Sequence, residues 1–346
     1  MLEDRQGAFW IATNGGLDMI EPRTGLYKHY KNNPSDSNSL STNQVFKIFE
    51  DSSGNLWIGS SIGGGINLLN KKTGEFKHYM RGSNVIEILQ DSFGIIWVAT
   101  EAGIYRRNND TDDFFLFNDP ASELGTANIV GIVEDAQNNL WIGSQSAIIK
   151  LNAHRNETSI YGRKYGVIPN SSYDLTGYKT RDGKLLFGDG TGYYAFFPRN
   201  LTVNAIPPQL QITDFKIGDI SLKPGHAPLT TPIELTQEIK LNYKQGKFSL
   251  DFAGIHYSSV EESRHLFMLE GYDEKWRKAG SEKTASYFNV PPRDYVFRVK
   301  ASSSDGIWAK KMLKIIITPP WWRTWWAYAL YALLITGVYM EHNLLS

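Results

Sequence analysis

The chain has 346 residues, 13% of them aromatic and 31 of them glycine, which is too long for one ordinary domain and favours strands over helices. Lysine plus arginine and aspartate plus glutamate number 36 each, so no net field draws in nucleic acid or another polyanion. With no cysteine, disulfides, thiolate catalysis and cysteine-ligated zinc are excluded.

The first residues, Met1 to Gly16, hold no basic segment followed by an apolar run, hence no signal peptide; an exported protein would begin upstream. They do hold the first copy of a repeat. Asp4-x-x-Gly7-x-x-Trp10-Ile recurs as Asp51-x-x-Gly54-x-x-Trp57-Ile, as Asp91-x-x-Gly94-x-x-Trp97-Val and as Asp135-x-x-Asn138-x-x-Trp141-Ile. A fifth copy has decayed, with Thr180 in place of the aspartate and Leu186 in place of the tryptophan. The anchors Trp10, Trp57, Trp97, Trp141 and Leu186 lie 47, 40, 44 and 45 residues apart, the period of a four-stranded propeller blade.

Each part of the motif has a mechanical reason. An alternating apolar run precedes it, as in Val45 to Phe49 and Val85 to Leu89, and predicts a strand. Asp-x-x-Gly predicts a tight turn, the carboxylate accepting backbone N–H groups and the glycine taking a left-handed conformation. The tryptophan opens the next strand and wedges between blades, and the small residues after Ile or Val allow close packing. The first copy lacks the strand that should come before it, so residues 1–206 are expected to form about five blades of a partial β-propeller, the first and last incomplete. The longest loops outside the repeat are Lys31 to Thr42 and Asn118 to Ala127; loops on a rigid scaffold are where ligands are held, although no contact residue can be named from sequence.

Ile206-Pro207-Pro208 ends the repeat. Lys247 to Phe252 and Tyr295 to Val299 alternate as sandwich strands do, Pro291-Pro292-Arg293-Asp294 reads as a hairpin turn before the second, and Lys314 to Ile317 as the final strand. Residues 207–318 suit a fibronectin- or Ig-like β-sandwich of about seven strands. The remainder, 319–346, reads as a Pro/Trp linker and the start of a transmembrane helix. Trp325 to Met340 carries no formal charge, about 24 Å of helix, with Trp321, Trp322, Arg323, Trp325 and Trp326 expected at the membrane interface.

Three blocks resemble the extracytoplasmic sensors of hybrid two-component systems of Bacteroidetes: the Asp-x-x-Gly-x-x-Trp repeats; Phe267 to Trp276 with Ala285 to Tyr295 and Arg298 to Trp308, which are similar to a triple-tyrosine (Y_Y_Y) domain; and Pro319-Pro320-Trp321-Trp322-Arg323-Thr324-Trp325-Trp326. The resemblance implies that the propeller senses an oligosaccharide or other small nutrient and the sandwich relays the signal. It also implies a homodimer in the periplasm, anchored in the inner membrane, with a kinase, receiver and DNA-binding domain beyond the helix. No kinase lies in this chain, so no enzyme activity, catalytic residue, cofactor or metal is expected of it. Two alternatives remain open, a surface-tethered propeller enzyme (polysaccharide lyase or glycosidase) and a protein-interaction scaffold.

The chemistry-bearing motifs have plain structural readings. Gly59-Ser60-Ser61-Ile62-Gly63 has the form of a nucleophile elbow, but that turn needs a strand running into a helix, and here a strand runs into a hairpin. His29 and His78 sit at the same place in consecutive repeats and read as scaffold, and no metal-ligand spacing occurs. Catalytic carboxylate pairs meet only in space, yet the carboxylates that can be placed belong to repeat turns.

Overall fold

The computed structural model describes every residue except 120, 121, 123, 169–174, 202–206, 256–263, 281, 304–306, 324–326 and 337–346. Two compact units emerge, Met1–Asn204 and Ala205–Ser346.

The first unit is a row of antiparallel sheets joined in simple up-and-down order. The first blade holds β1 (Leu2–Glu3), β2 (Phe9–Thr13), β3 (Gly16–Glu21) and β4 (Leu26–Tyr30); the second β5 (Val45–Glu50), β6 (Leu56–Ser60), β7 (Gly65–Leu69) and β8 (Phe76–Tyr79). The third holds β9 (Val85–Gln90), β10 (Ile96–Thr100), β11 (Gly103–Asn108) and β12 (Asp113–Leu116); the fourth β13 (Ile129–Glu134), β14 (Leu140–Ser144), β15 (Ile148–Leu151) and β16 (Thr158–Tyr161). The fifth has three strands among the described residues, β17 (Gly177–Lys179), β18 (Leu185–Asp189) and β19 (Gly192–Phe196).

The opening strand expected to be missing is present as a stub: Leu2 and Glu3 pair with Trp10 and Phe9. Two residues suffice because Asp4 turns the chain directly back onto β2. The first blade packs through β2 onto β5 and the later blades through their first strands, and the second strand of an inner blade is covered on both sides. β6, β10 and β14 are accordingly buried at every position, which is why they read as unbroken apolar runs rather than alternating ones. Gly59 shows how close the approach is: a β-carbon there would stand 2.6 Å from Val85 Cγ1 of the next blade. The tryptophans fill the seams, Trp57 joining a core with Tyr79, Val85 and Phe114, and Trp97 one with Ile129, Ile132 and Ile142.

The second unit is a two-sheet sandwich. One sheet has the order β21 (Ile220–Ser221), β20 (Gln209–Ile217), β23 (Phe248–Ile255), β26 (Thr284–Tyr287); the other β22 (Glu238–Asn242), β28 (Trp308–Thr318), β27 (Asp294–Ser302), β24 (Arg264–Glu270), β25 (Arg277–Lys278). The expected seven strands become nine because β21 and β25 are two-residue edges. Alternate residues of β27 and β28, among them Tyr295, Phe297, Val299, Leu313, Ile315 and Ile317, turn inward to one core with Phe215, Phe248 and Phe252.

One expectation fails here and a second is met only in part. Pro291 to Asp294 is not a hairpin turn: β26 and β27 belong to different sheets, and the prolines carry the chain from one sheet to the other. The expected membrane-length helix is described only in part. Residues 327–336 are helical, about 15 Å long, and no helix among the described residues is long and apolar enough to cross a membrane. Residues 337–346, in which the expected span continues, lie outside the described residues, as do Trp325 and Trp326.

Candidate functional site

In the propeller unit the repeat motif builds the same clamp four times. Asp51 Oδ1 accepts the backbone N–H groups of Ser53 and Asn55 at 2.9 Å each, and Oδ2 accepts the indole N–H of Trp57 at 2.8 Å. Asp4, Asp91 and Asp135 repeat this toward Trp10, Trp97 and Trp141 at 2.7–2.8 Å. Gly7, Gly54 and Gly94 and, in the fourth copy, Asn138 take the left-handed conformation that closes each turn. All four carboxylates are buried. Burial pushes the Asp4 and Asp51 carboxyls up, but the hydrogen bonds from Trp10 and Lys71 on the one and from Trp57 and Asn55 on the other outweigh it, and both lie below the ordinary carboxylate range. In the fifth copy Thr180 bonds only within its own turn, to Lys184 and Asp182.

A cation missed by the sequence reading completes two of these clamps. Lys71, in the β7–β8 loop, reaches Asp4 of the preceding blade at 2.9 Å and Glu50 of its own at 3.0 Å. Arg155, in the β15–β16 loop, does the same for Asp91 at 2.9 Å and Glu134 at 3.3 Å. Both loops open with an asparagine, Asn70 or Asn152, whose side chain accepts backbone N–H groups, a signal the sequence carries. Between the second and third blades Arg107 lies 5.0 Å over the Trp57 ring. Asp112 there binds Lys77, Arg107 and Tyr79, and the two cations hold its carboxyl down to about 2.

The loop Lys31 to Thr42 is held rigidly. Asn67 of β7, fully buried, accepts the Ser41 N–H at 2.9 Å and faces His78 Nδ1 at 2.9 Å, while His78 Nε2 faces the Ser37 carbonyl at 2.9 Å. Asn32 donates to the Leu40 and Ser41 carbonyls. His29 meets Asp18 at the matching place in the first blade. Beside the loop is an open hollow of about 330 Å³ lined chiefly by amide and hydroxyl groups, including Asn33, Ser35, Ser37 and Ser39, with Arg81 at its edge. Of the loop Asn118 to Ala127, three residues fall outside the description; Asp119 accepts the Thr158 hydroxyl at 2.6 Å. The elbow-like Ser61 donates to Gln44 at 3.3 Å at the start of a hairpin, and among the described residues no group of three His, Asp or Glu could hold a metal.

In the sandwich unit three tyrosines tie one end of the core. Tyr287 donates to Asp273 at 2.9 Å, Tyr295 to the Pro291 carbonyl at 2.9 Å and Tyr272 to the Phe288 carbonyl at 3.1 Å. Burial and the bond to Asp273 push the Tyr287 phenol far above its ordinary range, so it stays a donor. The last strand leaves from this end. β28 pairs in parallel with β22 up to Thr318 opposite Asn242, the Trp322 ring packs edge-on to Tyr243 at 5.3 Å, and Trp321, Trp322 and Arg323 are exposed.

Family models match the same features: the two component regulator propeller at residues 39–61 and 123–146, and the Y_Y_Y domain at 256–318. The chain thus carries two-component-regulator propeller repeats and, after them, a match to the Y_Y_Y domain. Across 96% of its length it is similar to Histidine kinase P4 of Formosa agariphila, 28% identical. A solved extracellular domain assigned to a hybrid two-component system of B. thetaiotaomicron covers 92% of the chain at 24% identity with a TM-score of 0.53, a likeness of fold. The chain spans 25% of the first of these relatives and 44% of the second. The Y_Y_Y match takes in Tyr272, Tyr287 and Tyr295, the three tyrosines that tie the end of the core.

Proposed function

We propose that this propeller and Y_Y_Y domain form the ligand-sensing and signal-relaying part of an extracytoplasmic, membrane-anchored two-component sensor. The propeller takes an oligosaccharide or other small polar nutrient, two copies stand side by side, and the output is a kinase downstream. The observation that carries this reading is the order along the chain: a rigid propeller with a polar hollow, then a tyrosine-tied sandwich, then a last strand ending two prolines from an aromatic cluster. The likeness to a histidine kinase and to an extracellular domain of a hybrid system supports it. The chain itself is read as non-catalytic, because the carboxylates of the four intact repeats are already committed to turn N–H groups and indoles.

The test is isothermal titration of the chain with a panel of neutral and acidic oligosaccharides. One of them binds saturably, and Arg81→Ala weakens it about tenfold, as loss of a charged contact does, without changing the melting temperature. A panel that gives no binding, or one whose members are turned over, overturns the reading.

A further inference from the structure

We propose that the end of the sandwich from which the chain leaves toward residues 319–336 is a seat for an anionic lipid bilayer, with loop side chains entering the headgroup layer beside Trp321 and Trp322. The inference rests on the membrane-anchored reading above.

Strand register gathers the loops. β20 ends at Ile217 and β26 at Tyr287, both opposite Phe248. β22 and β28 end together at Asn242 and Thr318, β27 begins at Asp294 opposite Ile316, and β24 ends at Glu270 opposite Val296. Turns 218–219, 243–247, 271–272, 288–293 and 319–323 therefore share one end. They are also tied to each other: Gly218 N–H to the Lys247 carbonyl at 2.9 Å, Val290 N–H to Gly246 at 3.0 Å and Ile317 N–H to Arg293 at 3.0 Å.

This end leaves apolar groups in water. Ile220 is 75% exposed, Phe288 57%, Trp321 59%, Tyr272 43% and Trp322 39%. Exposed cations stand among them, Lys244, Lys247, Arg293 and Arg323, with Lys247 Nζ 5.8 Å from the Phe288 ring. The acids nearby are mostly spoken for. Asp273 is engaged by Tyr287 and Arg277, Asp294 by Lys314 and Glu270 by Arg298, which leaves Glu274 and Asp219, the latter 3.7 Å from Lys247. Rings with polar tips interleaved with long-stemmed cations suit the boundary between headgroups and acyl chains. The helix that follows, 327–336, exposes Leu330, Leu333, Leu334 and Ile335, so the apolar character continues in the direction the chain takes.

The chain is free of cysteine, so single labels report position cleanly. Phe288→Cys and, at the far end of β20, Gln209→Cys are labelled with an environment-sensitive fluorophore. Each is mixed with vesicles of phosphatidylethanolamine and phosphatidylglycerol, or of phosphatidylcholine alone. The label at 288 brightens on the anionic vesicles and is quenched by brominated lipid; the label at 209 stays in water. At roughly fivefold in affinity per cation near an anionic surface, the pair Lys247→Glu and Arg293→Glu lowers affinity for the anionic vesicles at least tenfold, with melting and binding to neutral vesicles unchanged. A label at 288 that remains in water on vesicle-bound protein, or an affinity the charge reversals leave alone, overturns the seat. Either result would leave the sensor reading, tested by oligosaccharide titration, standing.

Discussion

The tryptophan lies six positions after the aspartate in each intact turn, and this spacing lets one carboxylate close the turn with one oxygen and fix the wedge ring with the other. Trp57→Phe keeps most of the ring but removes the N–H that Asp51 accepts, and a bond to a charged group is worth about 1.5–3 kcal/mol. Trp57→Ala also empties the seam and costs about 3–5 kcal/mol; urea denaturation separates the two. The same bonds set a pH dependence. Because the folded Asp4 and Asp51 carboxyls titrate below the ordinary value, their stabilisation is complete above the unfolded value of about 3.9 and is lost as pH falls through the lower folded values. In Trp57→Phe part of that acid-dependent loss disappears, so a denaturation series from neutral pH downward gives a shallower fall than in the parent chain. An unchanged acid slope would mean that the indole bond does not hold Asp51 ionised.

At the scale of elements, the seams between blades combine apolar wedges with buried cations. Arg155, only 7% exposed at its side chain, touches Asp91 and Glu134 and lies 5.9 Å from the Trp97 ring. Arg155→Met would leave two carboxylates without their cation and cost about 3–5 kcal/mol, as breaking a buried pair does, with the third and fourth blades losing hydrogen-exchange protection first. The blades were legible in the sequence because turn, glycine and tryptophan recur at a fixed period. Arg155 and Lys71 were not, since each acts on the aspartate of the preceding blade, 64 and 67 residues away. Pro291 and Pro292 misled for a related reason. Prolines between two strands fit a hairpin as well as a crossing between sheets, and only the pairing of β26 with β23 rather than with β27 decides. The polar hollow beside Arg81 was equally hidden, because its loop takes its shape from Asn67 and His78 on other strands.

For the whole molecule, the proposed sensor function turns on how the sandwich would pass a change onward. β28 runs 11 residues through the middle of its sheet and continues into Pro319 and Pro320, whose rings restrict φ and hold the preceding residue extended. The Arg323 N–H bonds the Pro320 carbonyl at 2.9 Å, and Trp322 rests on Tyr243, so the exit is stiff where a Gly/Ser linker would absorb motion. The most direct measurement, in a full-length receptor of the proposed kind, is ligand-dependent phosphorylation with four to six Gly/Ser residues inserted after Pro320. Rigid transmission predicts that the ligand response falls more than about tenfold while ligand affinity stays within about twofold, as expected when coupling is cut but the binding site is untouched. A receptor that signals normally with the insertion in place would contradict it.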